Sequence, residues 1–447
     1  MKKITVDLGK NKGRMKPMHA VNNGPVYKFN ADQRITNIEY FREAGIPYAR
    51  NHDASFYSAY GGEHTVDVHA IFPDFGADPY DEESYDFACT DEYLRVIDFA
   101  GVKTFYRFGS KIEHGVKKYG TLPPPDFNKW AVICEHIIRH YNCGWANGFN
   151  YGLEYWEIWN EPDLDANDPN NKRTWGGSKE QFFDLYEISS KHLKKCFPEL
   201  KIGGPALAGD WDWGRDFLFE MKKRNAPLDF FSWHCYTADI SKLKLLVEHW
   251  RSELDNVGFP DTESILNEWN YVSDWFGEKW IESIRTMKNY KGAAFIAAAM
   301  EECQSLDVDM LMYYDARPSA MNGMFNTDLV CDVLKGYYPF YMFNQLYRLE
   351  NAAEVGTDED IYGCAAANGR DSAIMLTYYN DGEKPDEDVE IEITDPNNEN
   401  GAEAEFYLLD KDNDNELFKK ETLNLKTQSV ALKMKMYSTV LIKIKNV

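Results

Sequence analysis

The chain has 447 residues, a hydrophobic share of 44% and a formal net charge of −24. This length favours one large domain accompanied by a small one, and the apolar share is sufficient for a sizeable core. The negative charge argues against nucleic acid as a partner and against anionic membrane surfaces, because binding to either requires basic residues. Tyrosine and tryptophan are frequent, with 28 and 12 copies, and such side chains often bind flat ligands such as sugars, although most are expected in the core.

The amino terminus lacks the apolar segment of a secretory signal, and no apolar run reaches the length of a membrane helix. The eight cysteines lie far apart and include no C-x-x-C pair. We therefore expect a cytoplasmic protein with reduced thiols and with no cofactor or metal, although a chain whose signal had been removed would look the same. The oligomeric state stays open, and a homo-oligomer is possible.

Between about residues 17 and 345, short apolar runs alternate with amphipathic helical stretches. This alternation is typical of βα units and a parallel sheet. Eight such units predict a (β/α)8 barrel, whose active site lies at the carboxyl ends of the strands. The strand candidates are residues 18–23, 47–52, 103–109, 155–161, 201–207, 230–236, 264–270 and 308–315.

After about residue 350 the sequence consists of short β-type runs separated by Asn, Asp and Gly turns, which predicts an all-β sandwich. The opening "KKITVDLG" is also strand-like and is expected to complete that sheet. The predicted domains are therefore a catalytic barrel over residues 15–348 and an accessory β-sandwich formed by residues 1–14 and 349–447.

Polar side chains cluster where the predicted barrel strands end. A single polar residue at a strand end is usually a turn residue, but several on different strands would converge on one mouth of the barrel. The clusters are Arg50 and His52 on strand two, Asn160 and Glu161 on strand four, His234 and Tyr236 on strand six, and Asn267, Glu268 and Trp269 on strand seven.

Two of these side chains are carboxylates, Glu161 and Glu268, which strands four and seven would direct across the same cavity. Glycoside hydrolysis requires two carboxyl groups on either side of the bond, one to protonate the leaving oxygen and one to attack the anomeric carbon. A separation of about 5–5.5 Å predicts retention of configuration, and roughly 6.5–9.5 Å predicts inversion.

The motifs "WNEPDL" and "LNEW" resemble the acid/base and nucleophile motifs of clan A glycoside hydrolases. The closest resemblance is to family 39, the β-xylosidase and α-iduronidase family, and it extends from about residue 17 to 345. It includes "YARNHDAS", "YDFACTDEYLRVIDFAGVKTFYRFG", "PPPDFNKWAVICEHIIRHY" and "SWHCYT". The resemblance implies a barrel with a small β-sandwich and a metal-independent, retaining hydrolase of β-linked glycosides such as xylosides. The expected cytoplasmic location favours action from chain ends, because only short imported oligosaccharides or glycosides would reach the enzyme.

The same resemblance implies that Glu161 is the acid/base and Glu268 the nucleophile. For Arg50, a structural ion pair and direct participation in the site stay equally open. The other implied roles are a hydrogen bond from Asn160 to the sugar 2-hydroxyl, orientation of Glu268 by Tyr236 with support from Arg50, and contacts of His52 and His234 with sugar hydroxyls.

The sequence departs from the family pattern at two places. Strand three ends in "FGSKIEH" instead of an apolar-Glu-Leu-Gly pattern, so Glu113 lies further downstream as a candidate for substrate binding. The loop "DLDANDPNNKRTWGG" is long and carries Trp175, which like Trp211 and Trp213 could stack on a sugar or pack in the core. These departures leave the sugar open, with α-L-arabinofuranosides, β-galactosides, β-glucosides or endo-acting hydrolysis as alternatives. A catalytically inactive carbohydrate-binding barrel is the alternative from another class.

Two apparent metal motifs are better explained by structure. His136 and His140 have helical spacing, but the H-E-x-x-H order is absent, so an outer-helix role is expected. Residues 410–421 place acids as a calcium loop would, but Asn415 replaces the turn glycine and β-runs flank the segment. A hairpin turn is therefore predicted.

Overall fold

A computed structural model describes residues 1–30, 33–52, 66–168, 170–327, 332–396, 401–424 and 426–446. The strands within these residues are β1 (Lys2–Arg14), β2 (Ala20–Asn22), β3 (Tyr27–Asn30), β4 (Gln33–Thr36), β5 (Tyr48–Arg50), β6 (Lys103–Arg107), β7 (Tyr155–Glu157), β8 (Lys201–Leu207), β9 (Phe230–Tyr236), β10 (Glu263–Asn270), β11 (Met310–Tyr313), β12 (Asn351–Gly356), β13 (Ile361–Ala367), β14 (Asp371–Tyr378), β15 (Glu387–Thr394), β16 (Ala402–Leu409), β17 (Asp414–Leu423), β18 (Thr427–Met434) and β19 (Ser438–Asn446). The α-helices are α1 (Ile38–Glu43), α2 (Val68–Ile71), α3 (Ala88–Phe99), α4 (Phe127–Cys143), α5 (Lys179–Cys196), α6 (Trp211–Lys223), α7 (Ile240–Val257), α8 (Gly277–Met287), α9 (Tyr290–Ser305) and α10 (Tyr337–Tyr347).

Eight parallel strands close into a barrel in the order β2, β5, β6, β7, β8, β9, β10 and β11. Each of the eight predicted strand segments overlaps one of them, so the predicted fold class is confirmed. Some strands are shorter than predicted: β7 has three residues, because the chain leaves the sheet before it reaches Asn160 and Glu161.

The barrel interior changes from apolar to polar along its axis. Its amino-terminal end is filled by a cluster of buried side chains from successive strands, among them Phe105, Tyr155, Phe230 and Ile265. Because inward positions recur every second residue, the next inward residue on β7 after Tyr155 is Glu157, which is fully buried. The candidate site therefore lies on a packed apolar base and is not open along the barrel axis.

The helices begin and end with local signals that fix the loops at the carboxyl end of the barrel. Asp126 caps α4 by accepting hydrogen bonds from two backbone N–H groups, and the helix ends at Gly144, whose φ is +72°. Ser178 and Gln181 form a reciprocal capping box at the start of α5. These caps determine where the long loop after β7 returns to regular structure.

The remaining strands form one nine-stranded sheet in the order β17, β16, β19, β14, β13, β12, β1, β15 and β18. The amino-terminal strand β1 lies inside this sheet, antiparallel to β12 and parallel to β15. All nine strands contribute to a single cluster of buried apolar side chains, as expected when a sheet folds over on itself. The division into residues 15–348 and residues 1–14 with 349–447 stays a prediction.

The side chains of the two motifs that resemble metal sites are engaged in packing and hydrogen bonds within the fold. His140 stacks on Phe87 with ring centroids 3.6 Å apart and contacts Asp91 through Nε2, while His136 bonds the carbonyl of Val132. The segment after β16 is a hairpin turn in which the carboxylate of Asp410 accepts backbone hydrogen bonds, as predicted.

No disulfide joins any two of the seven cysteines that the structure describes, and Cys331 lies outside those residues. Within the same residues, no helix has the combined length and apolarity needed to cross a bilayer.

An ionisable group is buried where the barrel meets the sheet. Helix α9 packs against β13 and β14, and Glu301 on this helix is 1% exposed. Burial raises the pKa of Glu301 well above its usual value, and the hydroxyl of Thr377 opposes the rise. Because the folded-state pKa exceeds the unfolded one, each unit of pH between the two values costs about 1.4 kcal/mol of stability as pH rises.

We therefore expect Glu301→Gln to increase the free energy of unfolding at pH 7 by about 1 kcal/mol or more. The gain should disappear near pH 4, where the carboxyl group is protonated in both states. Thermal unfolding from pH 4 to 8 measures it. The control is Glu302→Gln, which alters a partly exposed side chain 3.2 Å from Lys244. An equal pH dependence in wild type and Glu301→Gln would contradict the assignment.

Candidate active site

The guanidinium of Arg50 lies at the centre of the polar layer and is fully buried. Its Nε donates to Glu157 at 2.7 Å, and its Nη1 donates to Glu268 at 2.7 Å and to Asn22 at 3.1 Å. Its Nη2 donates to Asn160 at 2.6 Å. All three nitrogens are thus used by side chains from different parts of the barrel, which fixes their relative positions.

Glu157 is a member of this network that the sequence analysis missed. It is fully buried, and its second carboxylate oxygen accepts hydrogen bonds from Ser232 and Asn267, both at 2.6 Å. The signal that could have revealed it is the alternation of β7, which directs Tyr155 and Glu157 inward and Trp156 outward. A carboxylate on the inward face of a barrel strand needs a cation, and Arg50 supplies it.

Glu268 is 5% exposed and is surrounded by donors. Besides the bond from Arg50, it accepts a hydrogen bond from the hydroxyl of Tyr236 at 2.8 Å, and Nε2 of His52 lies 3.2 Å from its carboxylate. Burial would raise the pKa of Glu268, but the charges of His234 and His52, followed by Arg50, hold it well below its usual range. This carboxylate is therefore ionised over the whole range of physiological pH.

Glu161 is 6% exposed and lies across from Glu268. Nδ1 of His234 is 2.7 Å from a carboxylate oxygen of Glu161 and 3.6 Å from one of Glu268, so this ring bridges the two acids. One carboxylate oxygen of each glutamate and this histidine nitrogen all lie within 4.8 Å of one another. The two acids expected from strands four and seven are therefore brought together.

The backbone that carries Glu161 is strained. The φ angles of Trp159 and Glu161 are +74° and +48°, in the left-handed region that non-glycine residues rarely adopt. Three hydrogen bonds hold this turn: Glu161 N–H donates to Ala206, Trp159 Nε1 donates to Thr174, and the Thr174 hydroxyl donates to the carbonyl of Glu161. The loop after β7 thus fixes the direction of the Glu161 side chain.

Asp163 connects this turn to the loop after β8. Its carboxylate accepts the backbone N–H groups of residues 208–210 at 2.8, 2.9 and 2.9 Å. Burial raises the pKa of Asp163 to about 6, the three hydrogen bonds oppose the rise, and the charge of Glu161 adds to it. Asp163 is a structural support within two residues of Glu161.

Two buried nitrogens near the glutamates have no hydrogen-bond partner among the residues that the structure describes. They are Nδ2 of Asn160, whose oxygen is bound to Arg50, and Nε2 of His234, whose other nitrogen contacts Glu161. A buried polar atom without a hydrogen-bond partner costs free energy, so both are available to a ligand.

Three candidates are placed away from the glutamates or are otherwise engaged. The ring of Trp269 packs against Phe295 of α9, on the helix side of the barrel, because strand alternation turns the residue after Glu268 outward. The carboxylate of Glu113 accepts hydrogen bonds from residues 119–121 of its own loop. Trp175 is 2% exposed, and its Nε1 donates to Ser178.

The tryptophans near the loops are mostly structural. Trp175 packs edge-on against Trp159 with ring centroids 5.0 Å apart and also lines a cavity of about 280 Å³ beside Pro162. Trp211 and Trp213 lie in the first turn of α6, which Asp210 caps by accepting a hydrogen bond from the backbone N–H of Trp213. Trp213 is buried, and Trp211 stacks on His249.

A (β/α)8 barrel with two facing carboxyl groups at the carboxyl ends of its strands has the layout of the barrel glycoside hydrolases. The model of glycosyl hydrolases family 39 matches residues 57–298, which is more than half of the chain. The chain belongs to this family.

Two curated relatives are β-xylosidases. That of Geobacillus stearothermophilus is 34% identical over 149 residues, covering 31% of this chain and 26% of the relative. That of Caldicellulosiruptor saccharolyticus is 31% identical over 143 residues, covering 32% of this chain and 26% of the relative. The matched segments therefore span about a quarter of the length of these relatives.

Solved structures resemble the whole chain. A glucosidase from Croceicoccus marinus has a TM-score of 0.80 at 22% identity, with 100% of this chain and 99% of that chain covered. A monomeric β-xylosidase from Caulobacter crescentus CB15 has a TM-score of 0.74 at 16% identity, with both chains covered completely. At these identities the similarity establishes the fold.

The network predicts that Arg50→Met is strongly destabilising, because it leaves the carboxylates of Glu157 and Glu268 buried without their cation. We expect a loss of about 3–5 kcal/mol in the free energy of unfolding, measured by denaturant titration. The control is Arg215→Met, which removes an exposed ion pair with Asp212 and should cost at most about 1 kcal/mol. Equal losses in the two variants would contradict the central role of Arg50.

Proposed function

We propose that this protein is a retaining glycoside hydrolase that removes single β-linked sugars, with xylosides as the preferred class. Hydrolysis proceeds by double displacement, with Glu268 as nucleophile and Glu161 as general acid and then general base. The observation that carries the proposal is the close approach of two buried carboxylates, which have oxygens within 4.8 Å of each other. This distance favours the retaining arrangement, at about 5–5.5 Å, over the inverting one, at roughly 6.5–9.5 Å.

The surroundings of the two acids support this division of roles. The carboxylate of Glu268 accepts hydrogen bonds from Arg50 and Tyr236 and lies next to the ring of His52. Its pKa is held well below the usual range, so Glu268 is ionised and can attack the anomeric carbon. Glu161 is bonded through its side chain to His234. As the glycosyl ester forms on Glu268, Glu161 passes its proton to the departing glycosidic oxygen. The resulting carboxylate of Glu161 then takes a proton from the water that attacks the anomeric carbon and releases the sugar.

The two buried nitrogens without a partner among the described residues supply substrate binding. Nδ2 of Asn160 is oriented by the bond from Arg50 to its oxygen and is available to the 2-hydroxyl of the sugar. A hydrogen bond at this position strengthens as positive charge develops at the anomeric carbon, so it favours the transition state over the ground state. Nε2 of His234 is available to a neighbouring hydroxyl, and His52 stands on the other side of Glu268.

The choice of β-xylosides rests on the two β-xylosidase relatives. A cytoplasmic location, which the lack of disulfides among the described cysteines favours, would restrict the enzyme to short imported oligosaccharides or glycosides and therefore to exo action. Binding of Trp269, Glu113 and Trp175 to the sugar is not part of the proposal, since their side chains are engaged elsewhere.

The substrate class is tested with 4-nitrophenyl glycosides. We expect the highest kcat/KM with the β-D-xyloside, compared with the β-D-glucoside, the β-D-galactoside and the α-L-arabinofuranoside. A higher kcat/KM with another glycoside would mean that the preferred sugar is not xylose, while the proposed hydrolysis would stand. Binding of glycosides without release of nitrophenol from any of them would favour a carbohydrate-binding barrel.

The roles of the two glutamates can be distinguished by adding azide to variants that lack one of the two carboxyl groups. Glu268→Gly should lower kcat by roughly 1000-fold or more, and azide should restore turnover by attacking the substrate directly, which gives a glycosyl azide of inverted configuration. Glu161→Ala should still form the glycosyl-enzyme from an activated aryl glycoside, and azide should then give the product of retained configuration. Nuclear magnetic resonance of the products measures both. Undiminished turnover by Glu268→Gly would contradict the assignment.

A further inference from the structure

A second arginine, Arg107, enters the barrel at the carboxyl end of β6 and is fully buried. Two residues earlier, Phe105 belongs to the apolar base of the barrel, whereas Tyr106 stacks on Trp156 on the helix side. Strand alternation therefore directs Arg107 inward, above Phe105 and towards the mouth. Its neighbour across the sheet is Glu157, a member of the Arg50 network.

The bonding of Arg107 differs from that of Arg50. Its Nη2 donates to the carbonyl of His52 at 2.9 Å and lies 2.9 Å from a carboxylate oxygen of Asp67. Its Nε and Nη1 have no hydrogen-bond partner among the residues that the structure describes. Arg50 is equally buried but uses all three nitrogens. Arg107 is thus a buried cation with unoccupied donors on two of its nitrogens.

The position of these donors indicates what they bind. Arg107 holds the backbone of His52, and the ring of His52 is 3.2 Å from the carboxylate of Glu268. Together with its strand neighbour Glu157, these contacts place Arg107 in the layer of the barrel that holds the groups around Glu268. Because the buried carboxylate of Asp67 already balances the charge of Arg107, neutral oxygen acceptors fit better than a carboxylate, sulfate or phosphate.

We propose that Arg107, positioned by Asp67, is a substrate-binding residue that donates hydrogen bonds to a hydroxyl group of the sugar attacked by Glu268. The inference rests on the proposed function, since it takes a sugar as the ligand. Strand three is also where the sequence departs from the family pattern, so this contact is expected to distinguish the sugar preference of this chain from that of its relatives.

A comparison of Arg107→Lys with wild type on aryl glycosides that each lack one hydroxyl group tests the inference. Lysine keeps the charge that Asp67 requires but cannot reproduce the donors of the guanidinium. We expect kcat/KM on the parent glycoside to fall by about 10- to 100-fold, as for hydrogen bonds from charged groups. The loss should disappear on the one analogue that lacks the hydroxyl bound by Arg107 and persist on the others.

Two further variants separate recognition from folding. Asp67→Asn combined with Arg107→Gln removes both charges together, and it should show the same hydroxyl-selective loss with a cooperative thermal transition. Arg173→Lys is the matched control, because Arg173 forms an arginine–aspartate pair with Asp165 at 2.5 and 2.9 Å in a partly exposed loop. It should not alter the relative rates on the deoxy analogues.

The outcomes distinguish the two proposals. Equal losses on every analogue, or full activity of Arg107→Lys, would show that Arg107 is structural and would overturn the inference while the hydrolase proposal stands. If wild type cleaves no glycoside, the hydrolase proposal fails. Calorimetric binding of the same glycosides to Glu268→Gln, with and without Arg107→Lys, still decides whether Arg107 recognises one hydroxyl.

Discussion

Arg50 brings a positive charge into a part of the barrel from which water is excluded, and such a charge is stable there only when its donors are occupied. The donors meet Glu157, Glu268 and Asn160, which lie on or after two different strands. Each of these partners is buried too, so none can be removed without leaving another unpaired. The charge balance of this layer therefore fixes the geometry of the carboxyl end of the barrel.

The same balance separates the two facing glutamates chemically. Glu268 is bonded directly to Arg50 and to Tyr236, whereas Glu161 stands on a strained turn and contacts His234. The strain at Trp159 and Glu161 is offset by the hydrogen bonds of the loop that follows β7. Glu268 is thus held by side chains of the barrel interior and Glu161 by a loop, so the two glutamates have different environments.

The sequence was sufficient for the barrel, because eight apolar runs separated by amphipathic helices leave few other solutions, and for the approach of Glu161 and Glu268, because parallel strands share one end. It was not sufficient for contacts that depend on the stagger between strands. Glu157 was hidden in an apolar run, and Trp269 was placed in the site although its ring faces α9. The engagement of Glu113 by its own loop depends on a turn that no local pattern specified.

The two buried arginines differ in how their nitrogens are bonded. Arg50 is saturated by protein groups, so a change of substrate has no reason to involve it. Arg107 is paired with a different acid, Asp67, and two of its nitrogens have no hydrogen-bond partner among the described residues. Under the proposed function, residues around β6 can therefore vary with the sugar while the bonds from Arg50 and Tyr236 to Glu268 are kept.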